Sequence, residues 1–311
     1  MMEKKKIIVL AGPTASGKTG CAVRLAQNVG GEIISADSMQ LYKYMDIGSA
    51  KPTAEERAAA VHHLVDEIDP AEDFSVAKYR DLAGRYIEQV ISAGKIPIIE
   101  GGTGLYVNSI VSHMDFSETP SNDELRRELR EEAEEHGGEY IHRKLADIDP
   151  DAAARIHPHN IKKIIRAIEA AKAGRPIPSF DKAAAGNGEY DCLMFGINRD
   201  RQLLYERINL RVDLMMEAGL VDEVKSILAR GIAPDSIAMK GIGYKEIIGY
   251  LDGNCSLDEA VELVKRNTRR YAKRQLTWFR RYDDMIWYDV TEGIDSAVED
   301  MTERTRGFTG L

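Results

Sequence analysis

Cysteine is scarce: Cys21, Cys192 and Cys255 are the three in 311 residues, far apart and without metal-ligand spacing. Nothing here spells a disulfide framework or a zinc module, and the usage fits a reducing cytoplasm. Long apolar runs are missing too. The N-terminus is basic through Lys6, but the apolar run behind it is only about five residues, too short for a signal peptide. No stretch reaches the length of a membrane span, so a cytoplasmic location and no membrane partner are expected. Repeats and low-complexity segments are absent. Positive charge is the minority sign, with 42 Lys+Arg against 51 Asp+Glu and a net charge of −9. That argues against nucleic-acid binding over the whole surface and leaves room for a local basic face. At 43% hydrophobic and 30% charged, the composition is globular, and the length suffices for a large α/β domain plus a smaller one.

What is present begins with Gly12-Pro13-Thr14-Ala15-Ser16-Gly17-Lys18-Thr19. This is a phosphate-binding loop pattern, set between a predicted strand Ile7–Ala11 and a predicted helix Lys18–Val29. Its glycines let backbone amides curl around a phosphate, and the helix N-terminus adds partial positive charge. Lys18 is placed for the terminal phosphates and the Thr19 hydroxyl for Mg²⁺. The loop implies a di- or triphosphate ligand and leaves open whether phosphorus is attacked or the diphosphate leaves.

A second strand, Glu32–Ala36, ends on Asp37-Ser38-Met39-Gln40. A third, Lys95–Glu100, runs into Gly101-Gly102-Thr103-Gly104-Leu105-Tyr106. Strands alternating with helices (51–60, 75–93) predict an α/β fold: a P-loop NTPase-like, doubly wound parallel sheet. Ligands bind beyond the carboxyl ends of such strands, so the loop and Asp37 are expected to face one crevice. The plainer role for Asp37 is a helix cap. Glu100 stands where many phosphate-loop NTPases carry an acidic metal-binding residue.

The alternation stops at 117–120. A capping box over Ser121–Glu124 opens a charged helix, and helices alone follow to Ala173, before a loose stretch through Gly188. The expected organisation is a core of 1–117 and 189–311 with an all-helical insertion domain at 118–188. A helix from Asn160 carries Lys162, Lys163 and Arg166. After a strand at Asp191–Ile197, helices span 200–230, with Arg207 and Arg211 one turn apart. Lys240–Lys245 is a glycine-rich basic turn. A capping box at Ser256–Glu259 opens a long helix to about Tyr282. Arg266, Arg270, Lys273 and Arg274 repeat there at i, i+4, i+7 and i+8, making a basic stripe beside Trp278 and Phe279. Polyanion contact is the reading of this stripe, against acid pairing within the protein. A last strand is expected at Ile286–Tyr288, and the tail after Asp289 carries no signal.

The loop, Ser35–Tyr42, Gly101–Tyr106, Gly243-Tyr244-Lys245-Glu246 and Lys273–Arg280 together resemble the bacterial tRNA dimethylallyltransferase (tRNA isopentenyltransferase) family, in the family's order and over nearly the whole chain. The resemblance implies transfer of a dimethylallyl group from dimethylallyl diphosphate to the exocyclic N6 amine of the adenosine 3′-adjacent to the anticodon, without nucleotide hydrolysis. It implies Asp37 as general base, Thr103 at the reaction centre, Gly12 to Thr19 with Arg211 on the diphosphate, and Mg²⁺ at Thr19. tRNA contacts are implied for Asp37, Ser38, Met39, Gln40, Thr103, Arg126, Lys162, Lys163, Ile164, Ile165 and Arg166. They are implied also for Lys240, Gly241, Ile242, Gly243, Tyr244, Lys245, Lys273, Arg274, Gln275, Thr277, Trp278 and Arg280. Lys162-Lys163 replace the family's frequent Gln-Arg, which keeps phosphate contacts there. The expected partners are the tRNA anticodon stem-loop and dimethylallyl diphosphate, with the protein a monomer. The other classes left standing are a small-molecule kinase and a nucleotide-controlled RNA-binding switch.

Overall fold

Strand β1, Lys5–Ala11, is buried over its last five residues, as expected of a parallel strand covered on both faces. It pairs in parallel with β4, Ile96–Gly101, and with β5, Tyr190–Asn198. β2, Gly31–Ser35, lies between β4 and β3, His62–His63, and β6, Ile286–Asp289, closes the other edge. The six-stranded order is β3-β2-β4-β1-β5-β6, all parallel. The computed structural model describes residues 4–112, 122–177 and 188–311.

The period of two sorts the core into two layers. Ile7, Val9 and Ala11 face a layer with Tyr79, Ala83, Ile87 and Phe279, while Ile8 and Leu10 face Leu25, Val298 and Met301. The helix Lys18–Val29 therefore covers one face and Val76–Ser92 the other. The carboxyl ends of the adjacent strands β2, β4, β1 and β5 deliver Asp37, Thr103, the phosphate loop and Arg199 to one rim.

The chain divides into two units, Met1–Val111 with Gly188–Leu311, and Ser112–Asn187. In the second, the helices Asp123–His136, Gly138–Ile148, Pro150–Arg155 and Ile161–Lys172 enclose Leu129, Ile141, Leu145, Ile164 and Ile168. Asn122 caps its first described helix, accepting the Leu125 N–H at 3.0 Å. Ser121, the break at 117–120 and most of the loose stretch before Gly188 lie outside the described residues.

Three elements differ from the sequence expectation. The tail after Asp289 forms a helix, Asp295–Thr309. Its buried face includes Thr302 and Thr305, which dilute the apolar period, and no side chain caps its start. β3 is two histidines long and carries no apolar alternation. The helix expected from Lys51 starts at Ala54, because Pro52 disfavours helical geometry at Lys51 and Thr53 with Glu56 forms a capping box. Among the described residues no helix is long and apolar enough to cross a membrane.

Candidate active site

The phosphate loop is shaped by close backbone approach. A Cβ on Gly12 would lie 2.6 Å from the Ile197 carbonyl oxygen, and Gly17, at φ 98°, turns the chain into the helix. Three arginines hold the loop. Arg211 donates to Thr14 Oγ1 at 3.3 Å, Arg207 to the Ala15 carbonyl at 3.0 Å and Arg199 to the Ser16 carbonyl at 2.6 Å. Burial, and next the neighbouring Arg207, pull Arg211 below the usual guanidinium range. Among the described residues none of these arginines forms an ion pair, and such a cluster of positive charge suits a polyanionic ligand.

Below the loop sits Glu100, 3% exposed. Thr19 Oγ1 donates to its Oε1 at 3.2 Å, and Lys18 Nζ is 4.0 Å away. Burial raises the Glu100 carboxyl above its ordinary value, with Lys18 opposing and Asp37 adding to the rise. The hydroxyl and carboxylate are hard oxygen donors of the kind Mg²⁺ takes. Among the described residues no group of three or more His, Cys, Asp or Glu could hold a metal, so a cation here would also need ligand phosphate oxygens.

No helix follows Asp37 for it to cap; its carboxylate closes the turn over 38–41 and lines the cavity. Its Oδ1 accepts the Met39 N–H at 2.9 Å and the Gln40 N–H at 3.4 Å. Thr103 is tied beside it: its Oγ1 accepts the Ser38 N–H at 3.0 Å, and its own N–H donates to the Ala36 carbonyl at 3.1 Å. A Cβ on Gly101 would come within 2.3 Å of the Ala36 carbonyl oxygen, which explains glycine where β4 meets the Asp37 strand. Burial, then the Asp37 charge, push the Tyr271 hydroxyl up to about 12. Asp37, Thr14, Arg211, Lys240, Tyr271 and Arg274 line a cavity of about 330 Å³.

The remaining predicted residues separate by burial. Ser38, Met39, Lys240, Gly241, Ile242, Gly243 and Lys245 line the cavity with Arg274. Lys162, Lys163, Lys273, Thr277 and Arg280 are exposed. Gln40, Tyr244, Gln275, Ile164 and Ile165, for which the resemblance implies tRNA contacts, are buried. Gln40 bonds Ser35 Oγ and the Ala50 carbonyl. The Tyr244 hydroxyl donates to Glu223 at 2.7 Å, and Glu223 also receives the amides of Asp46, Ile47 and Gly48. Ile164 and Ile165 are core residues of the helical unit. Arg126 and Arg166 both pair with the buried Glu169, at 2.9 and 2.7 Å, so part of their charge is already matched. Trp278 packs against Gly104, where a Cβ would come within 2.3 Å of the indole. Sequence reasoning missed Arg199 and Glu223. Arg199 had one available signal, its position just past the carboxyl end of β5; Glu223 had none.

A family model described as IPP transferase matches residues 40–282. A tRNA dimethylallyltransferase of Alkaliphilus oremlandii is 54% identical over 93% of this chain and 92% of its own length. One of Acetivibrio thermocellus is 52% identical, covering 92% of each. Among solved structures, the full-length tRNA isopentenylpyrophosphate transferase of Bacillus halodurans superposes with a TM-score of 0.73 at 43% identity, over 98% of this chain and 96% of that one. A eukaryotic dimethylallyltransferase acting on tRNA gives 0.79 at 29% identity, over 97% and 77%.

Proposed function

The chain belongs to the IPP transferase family, and we propose that the rim of β1, β2 and β4 is where it transfers a dimethylallyl group from dimethylallyl diphosphate to tRNA. The acceptor is the N6 amine of the adenosine 3′-adjacent to the anticodon. The observation that carries this reading is the arrival of a phosphate loop and a carboxylate, Asp37, at one cavity whose wall includes Arg274 of the basic helix. A kinase has no use for that helix, and an RNA-binding switch none for a carboxylate at the phosphate loop.

The chemistry follows from the residues. The adenine leaves its stack to reach the cavity. Its N6 attacks the allylic carbon, the N–C bond forms as the C–O bond to diphosphate breaks, and the N6 proton passes to Asp37. A positioned base of this kind supplies about 10²–10⁴-fold. Thr103 holds the Ser38 turn and faces the acceptor. Loop amides, Lys18 and Arg211 take up the charge growing on the leaving diphosphate. Thr19 and Glu100 would hold Mg²⁺ with the diphosphate, which supplies further charge neutralisation. Lys162, Lys163, Lys240, Lys245, Lys273 and Arg280 contact the anticodon stem-loop, mostly through phosphates. The protein works as a monomer in the cytoplasm.

The test is incubation with labelled dimethylallyl diphosphate and unmodified tRNA. Label in the tRNA at that adenosine, with release of diphosphate and no consumption of nucleoside triphosphate, is the expected result. Triphosphate consumption with a small-molecule acceptor, or RNA binding without transfer, would overturn it.

A further inference from the structure

Arg199 lies outside every motif that carries the resemblance, yet it touches the phosphate loop from behind. Its Nε donates to the Ser16 carbonyl at 2.6 Å, and its Nη2 is 3.1 Å from where a Cβ on Gly17 would stand. The Ser16 carbonyl and the Gly17 N–H belong to one trans peptide and point in opposite directions. With the carbonyl bonded to Arg199, the N–H of the same peptide points away from Arg199. Gly17 has no side chain and sits at φ 98°, so little else opposes a flip of that peptide.

Arg199 is itself held. Its Nη1 donates to the Thr291 carbonyl at 3.3 Å, and the next residue's N–H donates to Thr291 Oγ1 at 2.8 Å. Asp289 closes this turn by accepting the Thr291 N–H at 2.8 Å. Beyond it, the C-terminal helix docks on the phosphate-loop helix through the Arg24–Asp295 ion pair, and Ile294 packs beside Gly20. The segment after β6, mute in the sequence, therefore reaches the loop through one guanidinium.

We propose that Arg199 is a positioning residue for diphosphate binding: it locks the Ser16–Gly17 peptide with its N–H facing the leaving group, and the Asp289–Thr291 turn anchors it. This rests on the transfer reading above. A planar guanidinium suits the task because it bridges two carbonyls at once, which a lysine ammonium on one flexible stem does poorly.

The experiment compares wild type, Arg199→Ala and Arg199→Lys in steady-state transfer, with calorimetric binding of inorganic pyrophosphate alongside. In Arg199→Ala, kcat/KM for dimethylallyl diphosphate should fall by about 10- to 100-fold, the scale of a misplaced binding group. Pyrophosphate should bind correspondingly more weakly, and the KM for tRNA should hold. Arg199→Lys should recover part of the loss, and guanidinium ion at sub-denaturing concentration should rescue the alanine variant. Unchanged kinetics and pyrophosphate affinity in Arg199→Ala would overturn the proposal. So would an equal loss in the tRNA KM, or a lowered melting temperature without guanidinium rescue. A wild-type protein that binds pyrophosphate but never transfers would instead overturn the transfer reading, while the pyrophosphate comparison would still decide the role of Arg199.

Discussion

Thr14 and Gln275, 261 positions apart, are joined by a hydrogen bond of 2.9 Å from the Thr14 amide to Gln275 Oε1. The other end of the same side chain donates to the Gly102 carbonyl at 2.9 Å. Gln275 thus clips the phosphate loop to the second glycine loop from within the basic helix. It is 4% exposed, so its loss leaves buried polar groups unpaired. Gln275→Ala should cost about 1–3 kcal/mol of stability, seen as a lower melting temperature. It should also raise the KM for dimethylallyl diphosphate while tRNA affinity is retained. A selective loss of tRNA affinity would instead assign Gln275 the tRNA contact that the resemblance implies.

Asp37→Asn separates the turn-closing role from the proposed base role. Asparagine Oδ1 can still accept the Met39 amide, so the turn and the melting temperature should persist. The proton acceptor for N6 is gone, and kcat should drop at least about 100-fold. Single-turnover transfer at wild-type rates in this variant would remove Asp37 from the mechanism.

The extent to which such roles were legible depended on distance along the chain. Gly12 to Thr19 and the helix after them are a local pattern, and the structure reproduces that helix as Lys18–Val29. Asp37 and Thr103 were legible as strand ends, because parallel sheets gather ligands there. Gln275 was visible as a motif residue, but a clip to Thr14 and Gly102 exists only once the sheet has formed. Glu169, 43 positions from Arg126, organises two arginines that read as free cations in the sequence. Ile164 and Ile165 stand next to exposed lysines in the chain, and only packing shows that they face inward.

Glu100 gives a pH-dependent prediction. Its carboxyl is raised by burial, so the folded state holds this proton more tightly than the unfolded state does. The stability tied to this proton is therefore present at low pH and is lost as pH rises through the folded value. Glu100→Gln removes that loss. In the absence of ligand, the variant should melt higher than wild type at neutral pH, with the gap closing as pH falls into the ordinary glutamate range. If Mg²⁺ binds at Thr19 and Glu100 as proposed, the Mg²⁺ concentration needed for transfer should rise by about 10- to 100-fold, the scale for removing a metal-supporting partner. A gap that widens on acidification would contradict the burial argument.

Arg266, Arg270, Lys273 and Arg274 are all exposed. Arg274 also lines the cavity, with its guanidinium 5.5 Å from the Tyr271 ring centroid, so its substitution would mix tRNA and active-site effects. Lys265, on the same helix, is paired with Asp213 at 2.7 Å and drops out of the free charge. Arg270 and Lys273 are the cleaner pair, with no acid partner among the described residues. If they meet tRNA phosphates, each neutralised phosphate releases counterions on binding. Reversing both charges should then make the slope of log affinity against log salt shallower. The change should be ~0.9 for each duplex phosphate no longer neutralised, or ~0.7 for each single-strand phosphate. The same variant should bind different tRNAs more weakly by similar factors, since phosphates carry no sequence information. The melting temperature should hold, because no internal ion pair is broken, and so should the KM for dimethylallyl diphosphate. An unchanged salt slope together with a lowered melting temperature would make the stripe structural, and tRNA binding would then rest on the cavity rim and on Lys162 and Lys163.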